Sequence, residues 1–175
     1  REVTAERARS RGLAPLVSTD PSCLQDCDLV ILALPLESLL TPEESLLNAL
    51  PEQAVVTDVG SVKAEVLAVW RDLHPRFVGS HPMAGTAQAG VDAGLPGLFC
   101  GRPWVSTPES ATDPAALEVI HPLAVRPGRH WLTAAAARPH PPVSLLSHPP
   151  VLVCSAPSRA VAAQPHPDFL ATAAT

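Results

Sequence analysis

Three short apolar runs, each a strand's length and separated by stretches of helical character, constrain this chain more than any other feature. The first is "DLVILALP" (28–35), the second "AVVTDVG" (54–60) and the third "RFVGS" (76–80). The first is almost unbroken, a pattern that suits a parallel strand buried on both faces. "RPWVSTP" (102–108) reads as a fourth strand. Between the runs, "TPEESLLNALP" (41–51) offers Thr41 as N-cap, Pro42 at the first helical position and Glu44 three residues after the cap. That is a capping box with proline where a helix tolerates it. "SVKAEVLAVWRDL" (61–73) sets Val62, Val66, Val69, Trp70 and Leu73 at helical spacing. Ser61 reads as its N-cap. "EVTAERARSR" (2–11) has helix-forming composition, with Gly12 as its stop. Strands alternating with helices over short connections imply βαβ units, so the fold class is α/β with a parallel sheet.

Right-handed crossovers bring the C-terminal ends of such strands to one edge, where open α/β sheets bind ligands. That edge gathers Pro35, Asp58, Gly60, Ser61, His81, Gly85 and Thr86. His81 stands in "GSHPMAGT" (79–86), a run of small residues directly after the third strand. It reads as a loop histidine able to meet a ligand, and the Ser61 hydroxyl is expected at the same crevice. Asp58 is as suited to bracing the loop as to touching a ligand. Gly85 reads as a turn glycine. Trp70 and Trp104 read as core, and His74, His121, His130, His140 and His166 as surface residues.

Composition narrows the function. The formal net charge is −5 and no basic run occurs, which argues against a nucleic-acid surface. No apolar segment approaches the ~20 residues of a membrane span, and the polar start "REVTAERARSRG" carries no signal-peptide pattern. Cys23 and Cys27 are spaced C-x3-C, with no second pair at metal-ligand spacing, so no metal site is expected and Cys23, Cys27, Cys100 and Cys154 read as free thiols. The serine and histidine do not make a hydrolase, because the G-x-S-x-G elbow is absent. Prolines number 21 and crowd after about residue 121. Residues 138–175 therefore read as a helical segment spoiled by proline, or as a disordered tail.

"TDVGSVK" (57–63) followed by "GSHPMAGT" (79–86) resembles the prephenate/arogenate dehydrogenase family. The similarity runs from residue 1 to about 135 and more weakly to 170, where "SLLSHPPVLV" (144–153) is similar to a family helix. "AGTAQAGVDAG" (84–94) is most similar to the cyanobacterial, arogenate-using branch. The resemblance implies a Rossmann-type sheet and an oxidative decarboxylation in tyrosine biosynthesis. Hydride leaves the ring carbon bearing the hydroxyl for a nicotinamide, and carbon dioxide leaves the opposite carbon. It implies that His81 accepts a hydrogen bond from the ring hydroxyl, a role open to a neutral imidazole with a reference pKa of about 6.5. It implies that Ser61 bonds the same hydroxyl, and that Thr86, Gly85 and His148 meet the substrate. Leu34, Pro35, Asp58 and Val59 become cofactor contacts. Arg1 would neutralise an adenosine 2′-phosphate, favouring NADP over NAD. Ala87, where prephenate users often carry an acid, tilts the choice toward arogenate.

The resemblance also implies what the chain departs from. The family's G-x-G-x-x-G turn, which cradles a pyrophosphate, is not in this sequence. Residues 1–137 are thus expected to be a partial NADP-binding Rossmann-like domain, lacking its first βα unit. Residues 138–175 are expected to be the degraded start of a helical dimerisation domain, full-length relatives being homodimers. The expected partner is a small-molecule substrate, with no nucleic acid and no membrane, in the cytoplasm. Two other readings are a non-catalytic Rossmann-like remnant with an inherited, inactive site, and a different nicotinamide enzyme such as a β-hydroxyacid dehydrogenase. The latter family's lysine context is not found here.

Overall fold

The structure, a computed structural model, describes residues 1–86, 90–125 and 130–134. His148, Ala87, Cys154, His140, His166 and the proline-rich stretch 138–175 lie outside the described residues.

The chain opens with α1 (Glu2–Ser10), which ends where expected: Gly12 takes φ +60° and its N–H bonds the Arg9 carbonyl at 3.0 Å. A 3-10 turn (Pro21–Leu24) leads to β1 (Leu29–Leu32). Next come the short helices α2 (Leu36–Leu40) and α3 (Glu44–Ala49), then β2 (Val55–Asp58), α4 (Ala64–Leu73) and β3 (Phe77–Pro82). A 3-10 turn (Val91–Ala93), β4 (Pro103–Thr107), α5 (Pro114–Val125) and β5 (His130–Thr133) complete the described fold.

The sheet order is β1-β2-β3-β4-β5. β1, β2 and β3 run parallel, as the βαβ pattern requires. β4 returns antiparallel against β3, and β5 lies parallel to β4. The sheet is thus mainly parallel, with one reversal after β3 that the run "RPWVSTP" did not reveal.

Two clusters fill the two faces. On one, Val30, Leu32, Val56 and Phe77 pack with Leu39 and with Val66, Leu67 and Trp70 of α4. Trp70 is fully buried, stacks on Phe77 at 5.2 Å and donates its Nε1–H to the Leu39 carbonyl at 2.8 Å. On the other, Val55, Val78 and Trp104 pack against Ala116, Ile120 and Ala124. Those three small or branched residues recur every fourth position and form the buried stripe of α5, which continues through Pro122.

Several local expectations are corrected. Thr41 is the C-cap of α2, and α3 starts after Glu43 with no side-chain cap bond, so the capping box does not form. Lys63, not Ser61, takes the N-cap position of α4. The buried face of α4 is Val66, Leu67 and Trp70, whereas Leu73 is exposed. β1 is not buried on both faces along its length: Val30 and Leu32 are buried in the first cluster and Leu29 packs partly against the second, but Ile31 is 43% exposed. His74 is buried rather than superficial, its Nε2 lying 3.0 Å from the Pro51 carbonyl and its Nδ1 accepting from the Arg76 N–H. His121 is half-buried, edge-on to Trp131.

Candidate functional site

Parallel pairing of β1, β2 and β3 brings three strand ends to one edge. Beneath it lies a buried polar knot. Asp58, the last residue of β2, is fully buried. Its Oδ1 accepts from the Ser80 N–H at 3.1 Å, and its Oδ2 accepts from the Gly60 N–H at 2.9 Å and from the Lys63 ammonium. Lys63 also donates to the Ser80 carbonyl at 2.9 Å. Both charges have almost no exposed surface. Burial pushes the Lys63 ammonium below its usual range, and the Asp58 charge and hydrogen bond pull it partly back. A buried ion of either sign is tolerated when it is paired and its remaining sites are filled, as here. Ser80 Oγ donates to the Asp58 carbonyl at 2.9 Å, and Thr57 Oγ1 to the Val78 carbonyl at 2.6 Å, which closes the network.

His81 stands directly above this knot. It lies within β3, paired with Val105, and not in a loop; Pro82 opposite Trp104 carries the strand one residue further. The proline at 82 hid this from the sequence, because the strand's extension comes from antiparallel pairing with β4. His81 is 8% exposed. Its Nδ1 lies 2.9 Å from the Val59 carbonyl. A carbonyl only accepts, so Nδ1 carries the proton and Nε2 is the acceptor atom of the neutral ring.

An apolar cavity of about 400 Å³ adjoins this edge. Ile31, Ala33, Val59 and Pro82 line its sheet side, and Phe99, Trp104 and Leu123 close it toward β4 and α5. Val59 therefore serves twice, as a wall of the cavity and as the acceptor for His81. Among the described residues no group of three or more His, Cys, Asp or Glu side chains could hold a metal ion, and no helix is long and apolar enough to cross a membrane.

Residues 1–130 match the family model "Prephenate dehydrogenase, nucleotide-binding domain". The chain belongs to the prephenate dehydrogenase family. A cyclohexadienyl dehydrogenase of Zymomonas mobilis is 34% identical over 122 residues, covering 68% of this chain and 42% of that protein. A prephenate dehydrogenase of Bacillus subtilis is 33% identical over 115 residues, covering 63% of this chain and 31% of that protein. The chain thus spans less than half the length of these curated relatives. In structure, the Synechocystis arogenate dehydrogenase aligns with a TM-score of 0.78 at 33% identity, over 99% of this chain and 63% of that one. The Aquifex aeolicus prephenate dehydrogenase, in complex with hydroxyphenyl propionate and NAD+, aligns at 0.71 with 28% identity, over 78% of this chain and 49% of that one.

Against the family motifs, the structure brings some of the expected residues together. His81, Val59, Gly60 and Ser61 share the edge formed by β2 and β3. Ser61 is half-buried in the turn before α4. Leu34 and Pro35 are exposed just past β1. Gly85 and Thr86 follow β3 and are exposed; Gly85 has an ordinary φ and open space around its Cα, so neither backbone nor packing demands glycine there. Arg1 is exposed at the start of α1. The cofactor contact expected of Asp58 is corrected: its side chain has no exposed surface and both oxygens are engaged within the protein. Lys63 was passed over by sequence reasoning. The signal was available, since a lysine five residues after a strand-ending aspartate can turn back on it across one helical start.

Proposed function

We propose that this chain is the nucleotide-binding part of a dehydrogenase that oxidatively decarboxylates arogenate or prephenate, with NADP, or alternatively NAD, as hydride acceptor. The observation that carries this reading is the His81–Val59 hydrogen bond. With Nδ1 donating to that carbonyl, Nε2 is the ring atom that would accept the proton of a substrate ring hydroxyl. As hydride leaves the carbon bearing that hydroxyl, His81 draws the proton and the carbonyl forms. Loss of carbon dioxide from the opposite carbon then sends its bonding pair through the ring, which becomes aromatic, and the phenolate oxygen takes the proton back from His81.

A largely apolar ring is compatible with the cavity at this strand edge, where Ile31, Ala33, Val59 and Pro82 offer no charge, although His81 is not among the residues that line it. The nicotinamide, when bound, accepts the hydride. Leu34, Pro35 and Val59 would border it, and Arg1 a 2′-phosphate. Ser61 and Thr86 would orient substrate, together with His148, and Ala87 favours arogenate. The whole protein is read as a cytoplasmic homodimer.

A second reading is a folded Rossmann-like piece whose inherited site does not turn over. The deciding experiment supplies arogenate or prephenate with NADP or NAD and follows reduced nicotinamide. Turnover that disappears in His81→Asn, with cofactor affinity retained, supports the enzyme. A natively folded chain that reduces neither cofactor with either substrate discards the first reading for the second.

A further inference from the structure

Gly60 N–H and Val59 C=O belong to one peptide unit. Asp58 Oδ2 accepts from its N–H at 2.9 Å, while His81 Nδ1 lies 2.9 Å from its carbonyl oxygen. We propose that Asp58, held by Lys63, is a positioning residue for His81 that acts through the Val59–Gly60 peptide and fixes the imidazole as its Nδ1–H tautomer. The inference rests on the reading of His81 given above for its functional meaning, though not for its test.

Three observations carry it. The same ion pair holds both sides of the His81–Val59 contact. On the β2 side it takes the Gly60 N–H. On the β3 side Asp58 takes the Ser80 N–H and Lys63 the Ser80 carbonyl, which is half of His81's own peptide bond. Neither charge has appreciable exposed surface, so neither is there for solubility. Finally, Gly60 has no room for drift: a Cβ there would stand 3.1 Å from Asp58 Oδ2 and 3.2 Å from Leu39 Cδ1.

The chemistry follows from polarisation. A carboxylate accepting from an amide N–H increases the electron density on that amide's oxygen, and hydrogen bonds in such a chain strengthen one another at low dielectric. The Val59 oxygen becomes a better acceptor for Nδ1–H, most of all when the ring gains a proton at Nε2. In a Ser-His-Asp triad a carboxylate orients the imidazole directly. Here one peptide plane stands between them. Lys63 keeps the buried carboxylate charged and aimed.

The test is nuclear magnetic resonance of the 15N-labelled full chain, which needs no turnover. Long-range 1H–15N spectra report the tautomer of each imidazole, and His81→Asn assigns the His81 signals. The expected result is an Nδ1–H tautomer in the wild type. It becomes mixed with the Nε2–H form in Asp58→Asn/Lys63→Met, which removes both charges together, and the Gly60 amide proton moves upfield. Asp58→Glu keeps the charge, moves it by one methylene, and is the milder second variant; the same change in smaller measure is expected. A wild-type Nε2–H tautomer overturns the proposal. So does a folded variant of either kind with the His81 tautomer and its titration midpoint unchanged. A chain that shows the expected tautomers but no turnover refutes the proposed function and leaves this inference standing.

Discussion

Asp58 and His81 hydrogen-bond to opposite ends of a single peptide unit, the one joining Val59 to Gly60. The residues that make this arrangement possible are neither all polar nor all near one another in the chain, and their contributions separate by substitution.

Gly60→Ala is expected to destabilise the fold by ~1–3 kcal/mol. The new methyl would press on the Asp58 carboxylate and on the fully buried Leu39, and neither has slack. Gly85→Ala, with open space around it, should leave stability within about 0.5 kcal/mol. Denaturant midpoints of the two variants, side by side, check the contrast.

Removing one member of the buried pair costs more than removing both. Lys63→Met leaves the Asp58 charge without its cation and should cost about 3–5 kcal/mol, a large share of a typical domain's stability. Adding Asp58→Asn to it should restore part of that loss. Equilibrium unfolding of the single and double variants reads the difference, and a double variant weaker than the single would contradict it.

Trp70 combines a ring packed on Phe77 with a hydrogen bond to the Leu39 carbonyl. Trp70→Phe keeps most of the packing but leaves that carbonyl without its donor, for a loss of ~1–3 kcal/mol. Trp70→Ala also opens a cavity and should cost about 3–5 kcal/mol. The order of the two, from thermal or denaturant unfolding, is the checkable outcome.

Acid should weaken the fold partly through Asp113. The Ala115 N–H, then the Arg76 guanidinium, hold its carboxyl below the ordinary value of 3.8. With the folded value below the unfolded one, the unfolded chain binds the proton first as pH falls. The contribution is therefore complete above the unfolded value and is lost as pH drops through the folded one. Glu2, held down chiefly by its hydrogen bond to Arg9, and Asp20, by the Ser22 N–H, act in the same direction. Asp113→Asn should lower stability at neutral and alkaline pH and flatten the acid limb of a stability–pH curve.

The contacts of Asp92 with Arg7 and Arg11 tie α1 to the turn after residue 90, but they lie at the surface. Asp92→Asn is expected to change global stability by less than about 1 kcal/mol. Hydrogen exchange of residues 91–94 should quicken all the same, more so at low salt.

Much of this molecule could be read from the order of its residues alone. The apolar runs at 28–35, 54–60 and 76–80 became the three parallel strands, and the 61–73 pattern became α4 with Trp70 at its centre. The pairing of "TDVGSVK" with "GSHPMAGT" pointed to the family that residues 1–130 match. Hydrophobic period and motif are properties of neighbouring residues, so the sequence by itself determined them. The tertiary structure alone decided the rest. Thr41 closes α2 instead of opening a helix because Leu39 is drawn into the core beside Trp70. β4 reverses, and in reversing draws His81 into a strand. Asp58 faces inward because its partners include the Ser80 N–H, 22 residues away along the chain, and the Lys63 ammonium. A buried charge is stable only where distant donors converge on it, and which donors converge is set by the packing of the sheet, not by the spacing of letters in the chain.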